Sequence, residues 1–331
     1  MIFSIIIPVY NRPDEIDELL ESLTHQTQKN FEIIIVEDGS DVTCKHILEK
    51  YTPVLNITYF FKQNTGPGNS RNFGMNKAKG DYYIIFDSDC IIPEHYIHAV
   101  ENSLRELYVD CFGGPDKALD SFSPVQKAID FSMTSFLTTG GVRGGSERID
   151  KFQPRSFNMG LSPQAFQATQ GFGIIHPGED PDLSIRLWKL GFATKLIPNA
   201  FVYHKRRIDW SKFYIQVNKF GKARPILNSW YPEYSKITYF FPTVFSLGLD
   251  VAIVLAVLGW FLPVQLYVLY FMVLLISAVF KTKSLYIACL SIVATIIQFY
   301  GYGFGFLKSF IAVQLFKRNP EEVFPELFFK K

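Results

Sequence analysis

The two residues best placed to do chemistry are carboxylates that follow an apolar segment. Tyr82–Phe86 contains only β-branched and aromatic residues, which predicts a buried strand. Asp87 and Asp89 follow it, separated by one serine, and residues i and i+2 of an extended chain point to the same side. Paired carboxylates at a strand end suit a hard divalent cation, Mg²⁺ or Mn²⁺, that also bridges phosphates. For the tripeptide alone, a solvated Asp-Ser-Asp turn is the alternative.

The first part of the chain alternates between segments that predict strands and segments that predict helices. The predicted strands are Phe3–Ile7, Phe31–Val36, Ile57–Phe61 and Tyr82–Phe86. Such alternation with short loops is typical of an α/β fold whose parallel, doubly wound sheet has right-handed crossovers. Polar clusters follow three of these strands, at Pro8–Arg12, Glu37–Ser40 and Asp87–Asp89. Because the carboxyl ends of parallel strands meet at one edge of a sheet, the clusters predict a single ligand crevice.

These polar segments, together with several that follow, resemble the family 2 glycosyltransferases, which have the nucleotide-diphosphosugar transferase fold known as GT-A. The segments that carry the resemblance are Ser4–Asn11, Glu37–Ser40, Gly66–Gly74, Asp87–Asp89, Asn158–Gly160, Gly171–Gly173 and Gly178–Leu183. They cover about two-thirds of the chain, in the family's order and spacing. The resemblance therefore implies an α/β, GT-A-type fold with a mostly parallel, doubly wound sheet. The C-terminal transmembrane helices that we expect after this domain rest on the apolar composition of the last third of the chain.

The resemblance implies that four residues bind the nucleotide of a sugar donor. Pro8 and Tyr10 lie in the first motif, and Asp38 matches the family's carboxylate that contacts the nucleotide base. Arg71 matches a contact to the nucleotide, and guanidinium geometry suits carbonyl and phosphate oxygens. Two alternatives stay open from the residues alone: Asp38 could close an Asx turn, and Arg71 could lie on a helix surface.

The donor diphosphate and its cation are assigned to a second group of residues. By resemblance, Asp87 meets the ribose or the metal, Asp89 holds the metal, and Ser88 lies between them in the donor site. The metal would take up charge that develops on the departing diphosphate. His204 resembles a histidine that the family often places near that diphosphate. The alternative for His204 is a loop histidine with a structural partner.

An acidic pair, Glu179 and Asp180, is open to two interpretations. Locally the pair begins a helix, with Asp180 at the N-cap, Pro181 at the first position, and an i, i+4 ion pair between Asp182 and Arg186. In the family, the carboxylate that matches Asp180 deprotonates the acceptor. We expect Asp180 to be the catalytic base, and Glu179 is the next candidate.

The last third of the chain is apolar. Between residues 239 and 307 the only charged residues are Asp250, Lys281 and Lys283. The apolar blocks are Thr243–Leu262, Val264–Phe280 and Ser284–Leu307, and the first and third match the roughly 20 residues that a membrane span needs. Three spans would place the basic C-terminal residues outside, against the positive-inside rule. We therefore expect two spans and one interfacial or re-entrant segment.

A basic stretch precedes these blocks and is expected to mark the cytosolic side and attract anionic headgroups. Its basic residues are Lys205, Arg206, Arg207, Lys212, Lys219, Lys222 and Arg224. The expected organisation is a GT-A domain over residues 1–210, a basic interfacial linker over 211–238 and a membrane region over 239–331. The protein would be a multi-pass protein of the inner (cytoplasmic) membrane with its catalytic domain in the cytoplasm. The glycine-containing stretch 139–146 is either a flap over the acceptor or a surface loop.

The combined expectation is an inverting, metal-dependent glycosyltransferase that moves one sugar from a UDP- or GDP-linked donor to a membrane-associated, polyprenyl-linked acceptor. The Gln-x-x-Arg-Trp motif of the family's processive synthases is not found, which favours single-sugar addition. A formal net charge of +2 gives no support to a nucleic-acid partner. The alternative from another class is a non-catalytic scaffold of the same fold that binds nucleotide-sugars at a membrane.

Overall fold

The structure is a computed structural model of the 331-residue chain. It describes residues 1–117, 119, 121–140, 152–205 and 209–329. The chain divides into two compact units. The sheet unit comprises Met1–Lys117, Ser146–His204 and Phe328–Lys331, and the helical unit comprises Ala118–Gly145 and Lys205–Leu327. The sheet unit is thus assembled from three separate stretches of sequence.

The strands, over the described residues, are β1 (Phe3–Val9), β2 (Phe31–Asp38), β3 (Ile57–Lys62), β4 (Tyr82–Phe86), β5 (Cys90–Ile91), β6 (Cys111–Gly113), β7 (Asp116–Lys117), β8 (Asn158–Leu161), β9 (Thr194–Leu196) and β10 (Val202–His204). The helices are α1 (Pro13–Thr24), α2 (Lys45–Leu48), α3 (Pro67–Lys77), α4 (Tyr96–Glu106), α5 (Pro124–Thr134), α6 (Phe136–Thr139), α7 (Pro163–Thr169), α8 (Glu179–Lys189), α9 (Trp210–Trp230), α10 (Phe241–Val257), α11 (Leu262–Thr282), α12 (Leu285–Ser309) and α13 (Pro320–Val323). Short 3₁₀ segments lie at Pro232–Tyr234, Ile237–Phe240 and Pro325–Leu327, and a π-helical segment lies at Phe310–Leu315.

A seven-stranded sheet forms the centre of the sheet unit, with strand order β3-β2-β1-β4-β8-β6-β9. The pairs among β1, β2, β3 and β4 are parallel, as is β6 with β9, whereas β8 runs antiparallel to both β4 and β6. The predicted mostly parallel, doubly wound sheet is therefore confirmed, and β8 is its antiparallel member. A second sheet has the order β5-β10-β7, and its register places His204 opposite Cys90.

Side chains of the central strands alternate between two apolar layers. On β1, Ile5 and Ile7 face a buried cluster that contains Leu19 of α1 and Val100 of α4. The intervening Ile6 faces the opposite cluster, with helices α3, α7 and α8. Because successive strand residues point to opposite faces, a strand buried on both sides reads as a continuous apolar segment. This packing holds the carboxyl ends of β1, β2 and β4 in place.

The start of α8 differs from the prediction. We expected Asp180 at the N-cap, but the helix begins at Glu179 and its N-cap is Gly178. Gly178 has φ 132°, a conformation that favours glycine because other residues carry a Cβ. The backbone conformation at Gly178 therefore decides where the helix starts, and the Asp180 carboxylate does not cap it. The predicted ion pair within α8 is present, with Arg186 Nη2 2.7 Å from Asp182 Oδ2.

Within its described residues, the helical unit contains three helical segments long and apolar enough to cross a membrane: Ile237–Val257, Leu262–Thr282 and Leu285–Leu315. How many of them cross a membrane, and in which direction, stays a prediction. The expected linker is helical over much of its length, because α9 runs from Trp210 to Trp230 and packs against α12, where Asn218 Nδ2 donates to the Gly301 carbonyl at 3.0 Å. Within α10, Asp250 accepts a hydrogen bond from the Tyr300 hydroxyl at 2.5 Å.

Parts of several predictions lie outside the described residues. These are Arg206 and Arg207 of the basic stretch, residues 141–146 of the glycine-containing stretch, and Lys330 and Lys331. Residues 121–140 form α5 and α6 and belong to the helical unit. The sequence carried no signal for that grouping, and the predicted interfacial role of residues 211–238 stays a prediction.

Candidate active site

Side chains that follow β1, β2 and β4 contact one another at one edge of the large sheet. The backbone N–H of Asn11 donates to Ser40 Oγ at 2.7 Å, and the N–H of Asp41 donates to Asn11 Oδ1 at 2.8 Å. The Arg12 guanidinium forms an ion pair with Asp89. The three polar clusters therefore meet, as the parallel order of their strands predicts.

Asp38 ends β2 and is 3% exposed. Its carboxylate accepts hydrogen bonds from the backbone N–H groups of Thr65, at 3.0 Å, and Gly66, at 2.9 Å. The Lys62 ammonium forms an ion pair with the same carboxylate. Asp38 thus joins the end of β2 to the loop that opens α3. Its predicted contact to a nucleotide base stays a prediction.

The other predicted donor residues differ in exposure. Tyr10 is 49% exposed at the end of β1, where its ring is accessible to a ligand. Pro8 is half-buried within β1, and Ser88 is buried between the two acidic residues of its motif. The structure places all three at the edge of the sheet where β1 and β4 end.

Arg71 lies on the buried side of α3, so the alternative of a helix-surface arginine is wrong. Its Nη2 is 2.6 Å from Asp87 Oδ1 and its Nη1 is 3.2 Å from Glu179 Oε1. The guanidinium also lies over the Phe172 ring, 5.2 Å from the centroid. Burial lowers the pKa of Arg71, but the charges of Asp87 and Glu179 outweigh burial, and the net pKa is raised. One buried cation therefore joins Asp87, at the end of β4, to the acidic pair.

Glu179 is held in its ionised form. Its Oε1 lies 2.7 Å from His176 Nδ1, and its Oε2 accepts from the Gly178 N–H at 2.9 Å. Burial raises the pKa of Glu179, but the charges and hydrogen bonds of His176 and Arg71 outweigh burial and lower the pKa to about 2. A carboxylate that is already bonded to a cation, an imidazole and an amide is a poor proton acceptor.

Asp180 has the opposite electrostatic environment. Burial and the negative charge of Glu179 raise the pKa of Asp180 to about 6. Its Oδ1 is buried and has no hydrogen-bond partner among the residues that the structure describes. Adjacent carboxylates whose pKa values are driven apart are typical of acid–base sites. Asp180 can therefore accept a proton near neutral pH.

Asp89 and His204 form the best candidate cation site. His204 Nε2 lies 3.1 Å from Asp89 Oδ1, and ligand atoms of Asp89, Cys90 and His204 lie within 4.8 Å of one another. The Phe157 ring stacks on His204 with centroids 4.6 Å apart, which fixes the plane of the imidazole. Burial raises the pKa of Asp89, but the charges of His204 and Arg12 outweigh burial and hold the pKa well below its usual range.

The donor atoms fit a hard divalent cation. In the described part of the chain, Asp89 Oδ1 is buried without a hydrogen-bond donor, although His204 Nε2 is only 3.1 Å away. Cis ligands of an octahedral ion with bond lengths of about 2.1 Å lie about 3.0 Å apart, close to this separation. Asp87 is not part of this group and pairs with Arg71 instead. The structure thus supports Asp89 and His204 as ligands better than the predicted pair of Asp87 and Asp89.

Two family models match consecutive parts of the chain. Residues 4–158 match the model of glycosyl transferase family 2, and residues 156–299 match that of glycosyl transferase family group 2. The chain belongs to the family 2 glycosyltransferases. The predicted family is therefore confirmed, and the two models together span both the sheet unit and most of the helical unit.

Curated relatives of this glycosyltransferase match it over short regions. An uncharacterised glycosyltransferase from Rickettsia bellii is 41% identical over 86 residues, which are 26% of this chain and 12% of that protein. The minor teichoic acid biosynthesis protein GgaB from Bacillus subtilis is 36% identical over 110 residues, which are 31% of this chain and 12% of that protein. The chain therefore spans only about an eighth of the length of either relative.

Solved structures share the fold over nearly the whole chain. Staphylococcus aureus TarS 1–349 in complex with UDP-GlcNAc has a TM-score of 0.52 at 18% identity, covering 93% of this chain and 91% of that one. The mannosyltransferase PcManGT from Pyrobaculum calidifontis, in complex with GDP-Man and Mn²⁺, has a TM-score of 0.57 at 14% identity, covering 96% and 88%. These similarities confirm the predicted fold of the glycosyltransferase.

Sequence reasoning missed two contributors to the site. Arg12 was noted only as the last residue of a polar cluster, and its ion pair with Asp89 depends on how β1 and β4 lie in the sheet. His176 carried no motif signal, although its position three residues before Glu179 could have suggested the contact. Both residues contact a carboxylate that the resemblance had already assigned.

Proposed function

We propose that this glycosyltransferase transfers one sugar from a nucleotide-diphosphosugar to a hydroxyl of a polyprenyl-linked acceptor, with inversion at the anomeric carbon. The observation that carries the proposal is the acidic pair of α8. Asp180 has a raised pKa of about 6 and a buried oxygen without a partner in the described residues, next to a Glu179 whose charge is neutralised by Arg71 and His176. This arrangement suits a general base.

In the proposed step, Asp180 accepts the proton of an acceptor hydroxyl while the hydroxyl oxygen bonds to the anomeric carbon of the donor sugar. The bond between that carbon and the diphosphate oxygen breaks on the opposite face, and the nucleoside diphosphate leaves with the electron pair. A divalent cation bound by Asp89 and His204 would neutralise the charge of the departing diphosphate. Arg71 holds Glu179 and Asp87 in position through its two ion pairs.

The need for a base favours a hydroxyl acceptor over a polyprenyl phosphate. A phosphate monoester has a second pKa of about 6 and is already anionic at neutral pH, so it has no proton that must be removed before attack. A sugar hydroxyl keeps its proton until a base removes it in the transition state. An acceptor glycan that is already attached to a polyprenyl diphosphate therefore fits Asp180 best.

The donor and cation are proposed from the fold neighbours as well as the residues. TarS binds UDP-GlcNAc, and PcManGT binds GDP-Man with Mn²⁺. The chemistry of Asp89 and His204 suits Mg²⁺ or Mn²⁺. We infer a UDP- or GDP-linked donor and one of these two cations.

We also propose membrane attachment at the cytoplasmic face of the inner membrane, with a multi-pass helical unit. The three apolar helices support this proposal by their length and composition. Lys212, Lys219 and Arg224 of α9 would contact anionic headgroups, as expected for residues 211–238. GgaB is named for teichoic acid biosynthesis, which supports a role in the synthesis of a cell-surface glycan.

The test separates an enzyme from a binding scaffold. Detergent-purified full-length protein is incubated with UDP- and GDP-sugars, Mn²⁺ and a lipid extract, and the release of nucleoside diphosphate is measured with the mass of lipid-linked products. We expect release that depends on the extract and a product heavier by one sugar. Donor binding without release under any of these conditions would favour the non-catalytic scaffold.

A further inference from the structure

The segment Phe328–Phe329 packs onto the proposed donor site although it lies about 120 residues after the rest of the sheet unit. Phe328 forms an antiparallel bridge with Ile175, and the Phe329 N–H donates to the Ile174 carbonyl at 3.0 Å. The backbone of Phe328–Phe329 is therefore fixed on the loop that leads to the acidic pair of α8.

The Phe329 ring lies directly on Gly66. A Cβ at Gly66 would meet two carbons of the ring at 2.3 and 2.4 Å, so the ring occupies space that only glycine leaves free. The N–H of Gly66 is the group that donates to Asp38 Oδ2 at 2.9 Å. The aromatic ring and the carboxylate assigned to the nucleotide base are thus separated by one residue.

Phe329 also lines an open cavity in the sheet unit. Other parts of its wall are Thr65 and Asn69, near the start of α3, and His176. Thr65 belongs both to this cavity and to the hydrogen bonds around Asp38. His176 and Phe329 have ring centroids 5.9 Å apart. The cavity therefore extends from Thr65, whose N–H donates to Asp38, to His176, the imidazole that contacts Glu179.

We propose that Phe329 forms an aromatic wall of the nucleobase subsite and stacks on the base of the bound donor. The inference rests on the proposed function, because it needs a nucleotide donor. Asp38 would recognise the edge of the base, and Phe329 would contact its face. Every base presents a π-face, so this contact raises affinity for the nucleoside without selecting one base.

The inference predicts that removing the Phe329 ring lowers the affinity for ligands that carry a nucleobase and not for ligands that lack one. Detergent-purified full-length protein is titrated calorimetrically with UDP, with GDP and with inorganic pyrophosphate, all with Mn²⁺. For Phe329→Ala we expect the dissociation constant of the nucleoside diphosphate to rise about 5- to 150-fold, the range for loss of one base–aromatic stack. Pyrophosphate has no base and should bind as to the wild type. Phe329→Tyr, which keeps the ring, should restore nucleotide affinity.

The matched control is Phe316→Ala, which removes a ring that is 68% exposed in the helical unit and should leave all three affinities unchanged. Unchanged or tighter nucleotide binding by Phe329→Ala would overturn the inference and leave the proposed function intact. Equal weakening of nucleotide and pyrophosphate would also overturn it, because the ring would then only support the loop. A wild type that binds neither nucleotide would overturn the proposed function and the inference together.

Discussion

Arg71 Nη1 lies 3.2 Å from Glu179 Oε1, and the two residues are 108 positions apart in the sequence. The same guanidinium contacts Asp87 at 2.6 Å, so one buried side chain of α3 joins the end of β4 to the start of α8. A single buried cation therefore links the position of Asp87 to that of Glu179.

Replacing Arg71 should be strongly destabilising. Arg71→Met leaves Asp87 and Glu179 without their shared cation, and breaking a buried ion pair from one side costs about 3–5 kcal/mol. Arg105→Met is the control, since Arg105 is an exposed partner of Glu101 and such pairs contribute about 0–1 kcal/mol. Thermal unfolding of both variants in detergent measures the difference. Equal melting temperatures would show that the contacts of Arg71 do not stabilise the sheet unit.

Asp180→Asn should lower kcat by about 10²- to 10⁴-fold, the usual contribution of a general base. The melting temperature should not fall, because Gly178 rather than Asp180 is the N-cap of α8. Asp14→Asn is a matched control, since Asp14 is likewise the second residue of its helix, α1. Steady-state turnover and donor affinity are measured on both variants. If Asp180→Asn keeps its turnover, the base lies elsewhere and Glu179 is tested next.

Turnover should depend on pH through Asp180. A base must be ionised to act, so kcat/KM should rise with pH until it passes about 6, the pKa of Asp180, and then level off. Glu179→Gln removes the neighbouring charge that raises this pKa, and the acid limb should therefore move to lower pH. A pH–rate profile of both proteins makes the comparison. An acid limb that stays in place in Glu179→Gln would contradict the electrostatic argument.

The raised pKa of Asp180 also predicts that the stability of the folded protein falls as pH rises, whereas turnover increases. The folded state holds the Asp180 proton more tightly than the unfolded chain, whose pKa is near 3.8, so stability is lost as pH rises from about 4 through about 6. Asp180→Asn removes this loss. Its melting temperature should exceed that of the wild type at pH 7.5 by more than at pH 4. The same difference at both pH values would mean that Asp180 titrates normally in the folded protein.

Mn²⁺ binding distinguishes the two candidate ligand pairs. Asp89→Asn and His204→Ala each remove a member of the cluster and should weaken Mn²⁺ binding by more than about tenfold. Asp87→Asn should weaken it less, because Asp87 pairs with Arg71. Electron paramagnetic resonance of free Mn²⁺ gives the affinities without any assay of activity. An equal loss of Mn²⁺ affinity in Asp87→Asn would instead favour Asp87 and Asp89 as the ligands, as predicted from the sequence.

The sequence was most informative where structure is set locally. Strands β1 to β4 are rich in β-branched and aromatic residues, so their positions could be predicted from the sequence, and the polar residues after β1, β2 and β4 marked the edge that forms the site. The start of α8 was predicted two residues late, because the side-chain preference of Asp180 was weighed without the backbone conformation of Gly178.

Contacts between distant segments could not be predicted in the same way. The antiparallel direction of β8 depends on its neighbours β4 and β6 rather than on its own four residues. The pairing of Asp89 with Arg12 and His204, and of Asp87 with Arg71, requires the three-dimensional arrangement of strands and helices. The resemblance supplied the residue types of the site, and the fold decided which of them contact each other.

The bridge between Ile175 and Phe328 has a consequence for synthesis on the ribosome. Chains emerge from their N-terminal end, and domains generally fold as units in that order. The sheet unit cannot follow this order fully, because Phe328 and Phe329 are translated only after residues 205–327 of the helical unit. In the nascent protein, the proposed nucleotide pocket therefore stays unfinished until the apolar helices have been made.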